Sequence, residues 1–241
     1  SLESGTGPFA GADVVLDAGR REIHSGATLL AASARAHHAG VRAGMTVAQG
    51  RAVCHGLTVR PLEPEGHEVA RIALAEVLSG FGPRVEVLGA GSTRQPWEAG
   101  LADVSGVRDE RALAHEAGEA LARAGLVARV AVASTRFSAR AVAAFGARRE
   151  PVVVAPGGER EALRDLPIEA LPLEDRAAEA FAALSVRTLG DLARLPADAL
   201  ARRFGGHAAA WAELARGVDP SPMVPFRIPA ALFERVDLGD P

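Results

Sequence analysis

Strand-forming patterns recur along this chain as far as Pro151–Val154 and then stop, so it must fold as a sheet-bearing part followed by an all-helical part with a boundary near residue 160. Short strands are expected at Asp13–Asp17, more weakly at Glu22–His24, and again at Leu57–Arg60. Arg84–Leu88 alternates polar with apolar residues as a half-buried strand does, and Leu101–Val104 reads as its hairpin partner across the loop Gly89–Glu98. Val127–Ala133 reads as a buried strand and Pro151–Val154 as the last one. Between them lie helical patterns: Val69–Leu78 with a stripe at Val69, Ile72, Ala73, Leu74 and Val77, Asp109–Ala124 ended by Gly125, and Thr135–Phe145 with Arg136 and Arg140 on one face. Ala27–Gly56 is rich in alanine and broken by Gly40, Gly44 and Gly50, which predicts a small subdomain of short helices. Alternation of this kind argues for a sheet with helices packed on it, α/β or α+β.

Beyond Gly157, Leu166-Pro167 and Leu171-Pro172 punctuate the chain, and four short helices follow at Arg176–Leu184, Leu189–Leu195, Ala197–Phe204 and Ala208–Arg216, stopped by Gly217. Thr188 with Asp191 three residues on forms a capping box, Pro196 suits a first helical turn, and Gly205 and Gly206 end the next helix. Two short helices joined by a tight turn commonly hold a nucleic-acid backbone, because helix N-termini offer N–H groups to phosphate. The candidates for such contact are Arg187, Thr188, Arg202, Arg203, Gly205 and Gly206. A small helical bundle that touches no DNA fits the same letters.

Charge limits the DNA reading. The chain carries a net −3, and Leu166–Asp219 holds more acids than arginines, so tight independent binding to phosphates is not expected. Hydrophobic residues at 48% with aromatics at 4% predict a globular interior packed from Ala, Val and Leu. The lone Cys54 allows no internal disulfide and no cysteine metal cluster, and is expected as a buried apolar thiol in a reducing cytoplasm. Neither a membrane-spanning run nor a signal peptide is legible, which predicts a soluble, cytoplasmic protein. The first residue is not Met and the chain stops at Asp240-Pro241, so a fragment of a longer protein is expected.

Taken in order, Gly40-Val41-Arg42-Ala43-Gly44-Met45 with Ala52-Val53-Cys54, the Val85-Glu86 strand with Leu101-Ala102-Asp103-Val104-Ser105-Gly106, the Val130–Ser134 strand leading into an arginine-bearing helix, and the two-helix motif resemble a Y-family (lesion-bypass) DNA polymerase. The resemblance runs over almost the whole chain. It implies an α+β fold: a palm-like domain at 1–26 and 57–160 with a mixed sheet, a fingers-like subdomain at 27–56, an all-α thumb with a helix-hairpin-helix at 161–222, and at 223–241 a linker toward a missing little finger.

Where the family keeps its chemistry, this chain departs. Nucleotidyl transfer in that family uses carboxylates on two Mg²⁺ ions, one Asp from the first palm strand and an adjacent Asp-Glu pair from the hairpin. Counting back from Asp103 places Glu98 and Ala99 at that pair, and a methyl group cannot bind a metal. Asp13 and Asp17 flank a strand resembling the next one, so no first-strand Asp is recognisable. The family's triphosphate-gripping Tyr and Arg fall on Ala34 and His37; the imidazole, with a reference pKa of about 6.5, cannot make a bidentate phosphate clamp. Arg148 and Arg149 stand where the family has a triphosphate-contacting Lys. Loss of both sets on a kept scaffold resembles the ImuB-type branch, whose members are catalytically inactive. That resemblance implies no catalytic residues, no metal and no cofactor. It implies an adaptor joining a RecA-like protein (ImuA), an error-prone C-family DNA polymerase and, through a region outside this chain, the sliding clamp, with DNA bound weakly at most and no membrane contact. Two alternatives stay open: an active translesion polymerase using displaced carboxylates at Glu86, Glu98 and Asp103, and a helix-hairpin-helix DNA-binding module.

Overall fold

The computed structural model describes residues 13–16, 24–32, 36, 38–42, 44–61, 64–89, 98–147 and 150–227. Among the described residues the strands form three small sheets. In the first, β1 (Asp13–Leu16) is central, antiparallel to β2 (Leu29–Ala32) and parallel to β3 (Thr58–Pro61). β2 corrects the sequence reading, which expected only short helices over 27–56. The cause is tertiary: Leu29 is fully buried in a cluster with Val41, Val47 and Leu57, and that burial overrides the helical preference of Leu and Ala. α1 (Val47–Val53) follows, its N-cap Thr46 and Gln49 exchanging side-chain to backbone bonds of 2.8 and 3.2 Å in a capping box. Glu22 and Ile23 lie outside the described residues.

The second sheet is a hairpin of β4 (Val85–Leu88) and β5 (Ala99–Ala102), with Val85 opposite Ala102 and Leu88 opposite Ala99. β5 begins two residues earlier than the apolar pattern suggests, because Gly100 lets it lie directly under α2 (Pro64–Ser79). A Cβ on Gly100 would stand 2.3 Å from Leu78 Cδ1 and 2.9 Å from Leu74 Cγ. α2 turns Ala75 and Leu78 into the core and leaves Val69 65% exposed, so its buried face is rotated from the expected stripe. α3 (Glu110–Arg123), N-capped by Asp109, buries Ala114, Ala117 and Leu121 at helical spacing.

The third sheet is a two-residue parallel pair, β6 (Ala131–Val132) with β7 (Val152–Val153). The strand expected over 127–133 shrinks to β6: its neighbour β7 is too short to pair more of it, and Val127 stands fully exposed. Between them α4 (Arg136–Ala141), N-capped by Thr135, widens into a π turn at Val142–Gly146.

The helical half comprises α5 (Glu159–Leu163), a 3-10 turn (Ile168–Ala170), α6 (Asp175–Ala183), α7 (Leu189–Ala193), α8 (Ala197–Phe204) and α9 (Ala208–Ala215). α5 and the 3-10 turn add to the four helices legible in sequence. One apolar cluster runs through all of it, from Leu163, Phe181, Leu189 and Leu192 back to Phe137, Val142 and Val154. Phe181 lies 4.9 Å from Phe204 and 6.0 Å from Trp211, centroid to centroid, in tilted and edge-on contacts. After α9 the chain returns to the sheets: the Asp219 carboxylate accepts from Phe137 N at 3.0 Å, and Phe226 N donates to Val85 O at 2.6 Å.

Candidate functional site

The β4–β5 hairpin carries the carboxylates singled out in sequence, and each faces an arginine. Glu86, only 3% exposed, is held by Arg136 of α4 through two donors, Nε to Oε2 at 2.9 Å and Nη2 to Oε1 at 2.5 Å. Alternation placed Glu86 on a solvent face, but α4 covers that face. A buried carboxylate then needs a fork of matching geometry. The sequence signal was Arg136 itself, which shares one face of the helical pattern with Arg140. One turn on, Arg140 donates to Ala170 O at 3.4 Å. Burial, with Arg136 beside it, lowers the Arg140 pKa from its ordinary value.

Glu98 immediately precedes β5 and meets Arg71 Nε at 3.6 Å, an ion pair longer than a hydrogen bond. Arg71 sits one helical turn before Leu74 and Ala75, so the face of α2 that covers the hairpin also delivers this guanidinium. It also pairs with Glu68 at 3.1 Å and stands 5.3 Å from the Phe226 ring centroid. Ala99, beside Glu98, offers only its methyl group. Past the end of β5, Asp103 N donates to Arg84 O at 2.9 Å, which sets the two side chains across the hairpin from each other. Arg84 Nε then donates to Asp103 Oδ2 at 3.0 Å, while Ser105 Oγ and N donate to Oδ1 at 2.6 and 3.1 Å. The Ser105 hydroxyl and amide, and then Arg84, hold the Asp103 pKa down to about 2.

A pair of divalent ions needs several carboxylate oxygens converging on one point. These acids do not fit that requirement, since each faces a different guanidinium, that of Arg71 being shared between Glu98 and Glu68. No three acidic, His or Cys side chains converge as ligands among the described residues. Asp13 opens β1, whereas Asp17, Ala34, Arg35, His37, Arg148 and Arg149 lie outside the described residues. Cys54 caps the end of α1 and is half-buried against the Leu29 cluster, more accessible than the fully buried thiol expected.

In the helical half the capping box is present: Asp191 N donates to Thr188 Oγ1 at 3.1 Å, and the Asp191 carboxylate accepts from Thr188 N at 3.1 Å and Arg187 N at 3.2 Å. These bonds lower the Asp191 pKa, the Thr188 contribution being largest. They also consume amides that a phosphate would otherwise use. Pro196 occupies the N-cap of α8, one position before the expected first turn. Arg202 pairs with Asp198 at 2.7 Å on the exposed face of α8, and Arg203 stands 5.6 Å from the centroid of the Phe204 ring. Gly205 ends α8 at φ 95°, a conformation only glycine adopts freely, and Gly206 is exposed beside it. Of the six residues, Arg187 and Thr188 precede α7 and the other four lie at the end of α8, with Thr188 committed to the cap and Arg202 to an acid.

Residues 10–144 match the impB/mucB/samB (IMS) family, which is more than half of the chain. The chain is 30% identical over 208 residues to Protein ImuB of Caulobacter vibrioides (strain NA1000 / CB15N), covering 84% of this chain and 43% of that protein. It is 26% identical over 186 residues to DNA polymerase IV of Shewanella oneidensis, covering 75% of this chain and 50% of that protein. It therefore spans half or less of the curated relatives it matches. Among solved structures, the insertion ternary complex of Dbh DNA polymerase agrees with a TM-score of 0.67 at 20% identity, over 88% of this chain and 61% of that one. DinB from Sulfolobus solfataricus agrees with a TM-score of 0.64 at 19% identity, over 86% and 61%. The mixed α+β architecture is thus that of the Y-family polymerases, and by its match across the sheet-bearing half the chain belongs to the impB/mucB/samB family.

Proposed function

We propose that this chain is the polymerase-shaped body of a non-catalytic adaptor in bacterial DNA-damage-induced mutagenesis. It joins a RecA-like partner (ImuA) and an error-prone C-family DNA polymerase, and reaches the sliding clamp through a region outside this chain. In this reading 1–26 and 57–160 serve as palm, 27–56 as fingers and 161–222 as thumb, with 223–241 leading to a further domain. The observation that carries it is the set of ion pairs on the hairpin: Glu86 with Arg136, Glu98 with Arg71 and Asp103 with Arg84, beside the methyl of Ala99. The likeness to ImuB supports the same reading. DNA contact through Arg187, Arg202 and Arg203 is a minor part of it, because the surrounding acids leave little net positive charge.

The likeness to DNA polymerase IV favours one rival, an active translesion polymerase. Primer extension by the full-length protein with Mg²⁺ or Mn²⁺ separates the two: the adaptor adds no nucleotide, whereas template-directed addition abolished by Glu98→Ala establishes the polymerase. Co-purification with the RecA-like partner tests the adaptor directly. For the DNA module, Arg202→Ala/Arg203→Ala is expected to leave any salt-sensitive DNA affinity within about twofold, and a collapse of affinity restores that alternative.

A further inference from the structure

The helical half contains a concavity of about 400 Å³ that neither the hairpin ion pairs nor the helix-hairpin-helix reading uses. Its volume is within the roughly 300–1,000 Å³ of ordinary binding pockets. One wall is the 3-10 turn and the chain after it, giving Ile168, Leu171 and Leu173; the other is α6, giving Ala178 and Ala182 one turn apart, with Val186 closing the end. Backbone bonds fix the walls: Ile168 N donates to Arg187 O at 2.9 Å, and Pro167 bridges Thr188. These bonds tie the first wall to the Val186–Thr188 end. Small alanines on α6 are what keep it open, since a larger side chain at exposed position 182 would occupy the space.

Two charged groups stand at the mouth, Glu169 and Arg187. Arg164, Arg194, Arg202 and Arg216 of this half each pair with an acid within four residues. Among the described residues Arg187 makes no such pair, as is also true of Arg160, Arg176 and Arg203, although its own amide bonds to Asp191. An aliphatic floor with the Arg187 guanidinium and the Glu169 carboxylate at its mouth is complementary to an aliphatic side chain that brings one carboxylate to Arg187 and no acid to Glu169. A nucleic-acid backbone would bring phosphate for Arg187 but nothing apolar to fill the floor. We infer that this concavity docks a short aliphatic segment of a partner protein, with a Leu- or Ile-type anchor on the floor, an Asp or Glu on Arg187 and no acidic residue facing Glu169. The inference rests on the adaptor reading for its biological sense and on the groove for its chemistry.

The test is selection of a phage-displayed random dodecapeptide library on the whole chain, with counter-selection on Ala182→Trp, which fills the groove from an exposed helical position. The expected survivors pair Leu, Ile or Met with Asp or Glu, shift the methyl resonances of Ile168, Leu171 and Val186, and bind Arg187→Glu at least tenfold more weakly. An unchanged melting temperature for both variants excludes loss of folding as the cause. Survivors rich in Lys or Arg, survivors that bind Ala182→Trp equally, no survivors at all, or the same methyl shifts produced by a DNA duplex overturn the proposal. Primer extension is untouched by any of these outcomes, so failure of the groove and failure of the non-catalytic reading are separately visible.

Discussion

The two halves of the molecule are held together by different physics. The helical half has one continuous apolar cluster in which Phe181, Leu163, Leu189 and Leu192 are sealed from water, and aromatic rings meet edge to face. The sheet-bearing half has two smaller clusters, around Leu29 and around Ala75, its third sheet and α4 share the helical cluster, and ion pairs tie the β4–β5 hairpin to α2 and α4. The difference teaches where sequence change is tolerated. A continuous core resists truncation of any member, whereas a surface of paired charges can exchange its chemistry while the backbone persists.

The largest effect is expected in the aromatic cluster. Trp211→Ala should cost about 3–5 kcal/mol, read from denaturant unfolding, and a cost below about 1 kcal/mol would erase the contrast between the halves. Next comes the buried pair: Glu86→Ala leaves Arg136 without its partner. Because Arg136 keeps 22% exposure, the cost should be about 2–3 kcal/mol, below the roughly 3–5 of a fully enclosed pair. The double change Glu86→Leu/Arg136→Met should recover most of that loss, which distinguishes an ion pair from simple packing. Smaller again is Gly190→Ala, whose new Cβ would stand 2.7 Å from the Arg164 carbonyl oxygen; about 1–3 kcal/mol is expected.

The smallest effect concerns Asp103. Its carboxyl is depressed from 3.8 to about 2 in the folded chain, so the ionised form favours folding. That contribution is complete above about pH 4 and fades as the pH falls through about 2. Asp103→Asn should therefore lower stability slightly at neutral pH, flatten the profile between pH 4 and 2 and converge with the unaltered chain near pH 2, and a carboxyl NMR titration of the unaltered chain should give a midpoint near the lower value. A midpoint of 3.8 or above would show that Ser105 and Arg84 do not hold the group in solution.

Local signals survived folding where the chain's own chemistry decided the outcome. The Thr188–Asp191 cap and the Gly205 stop both depend on residues within four positions of each other, and both stand where the letters place them. β2, the face of α2 and the length of β6 did not survive, because each is settled by partners distant in sequence. Leu29 becomes strand through Val41 and Leu57, and Gly100 fixes which side of α2 turns inward. At the hairpin, the changed letters Glu98 and Ala99 were legible, but the guanidiniums opposite were not. Arg71 is 27 positions away from Glu98, and Arg136 is 50 positions away from Glu86; no local pattern joins them.

The chain's return after α9 has a mechanical meaning. Because Asp219 fastens to the start of α4 and Phe226 to the edge of β4, the segment that follows α9 is tethered at two points to the sheet-bearing half. Releasing that tether demands that Phe226 first peel from Arg71 and Val85. Whatever pulls on residue 227 therefore tugs on the very guanidinium that faces Glu98.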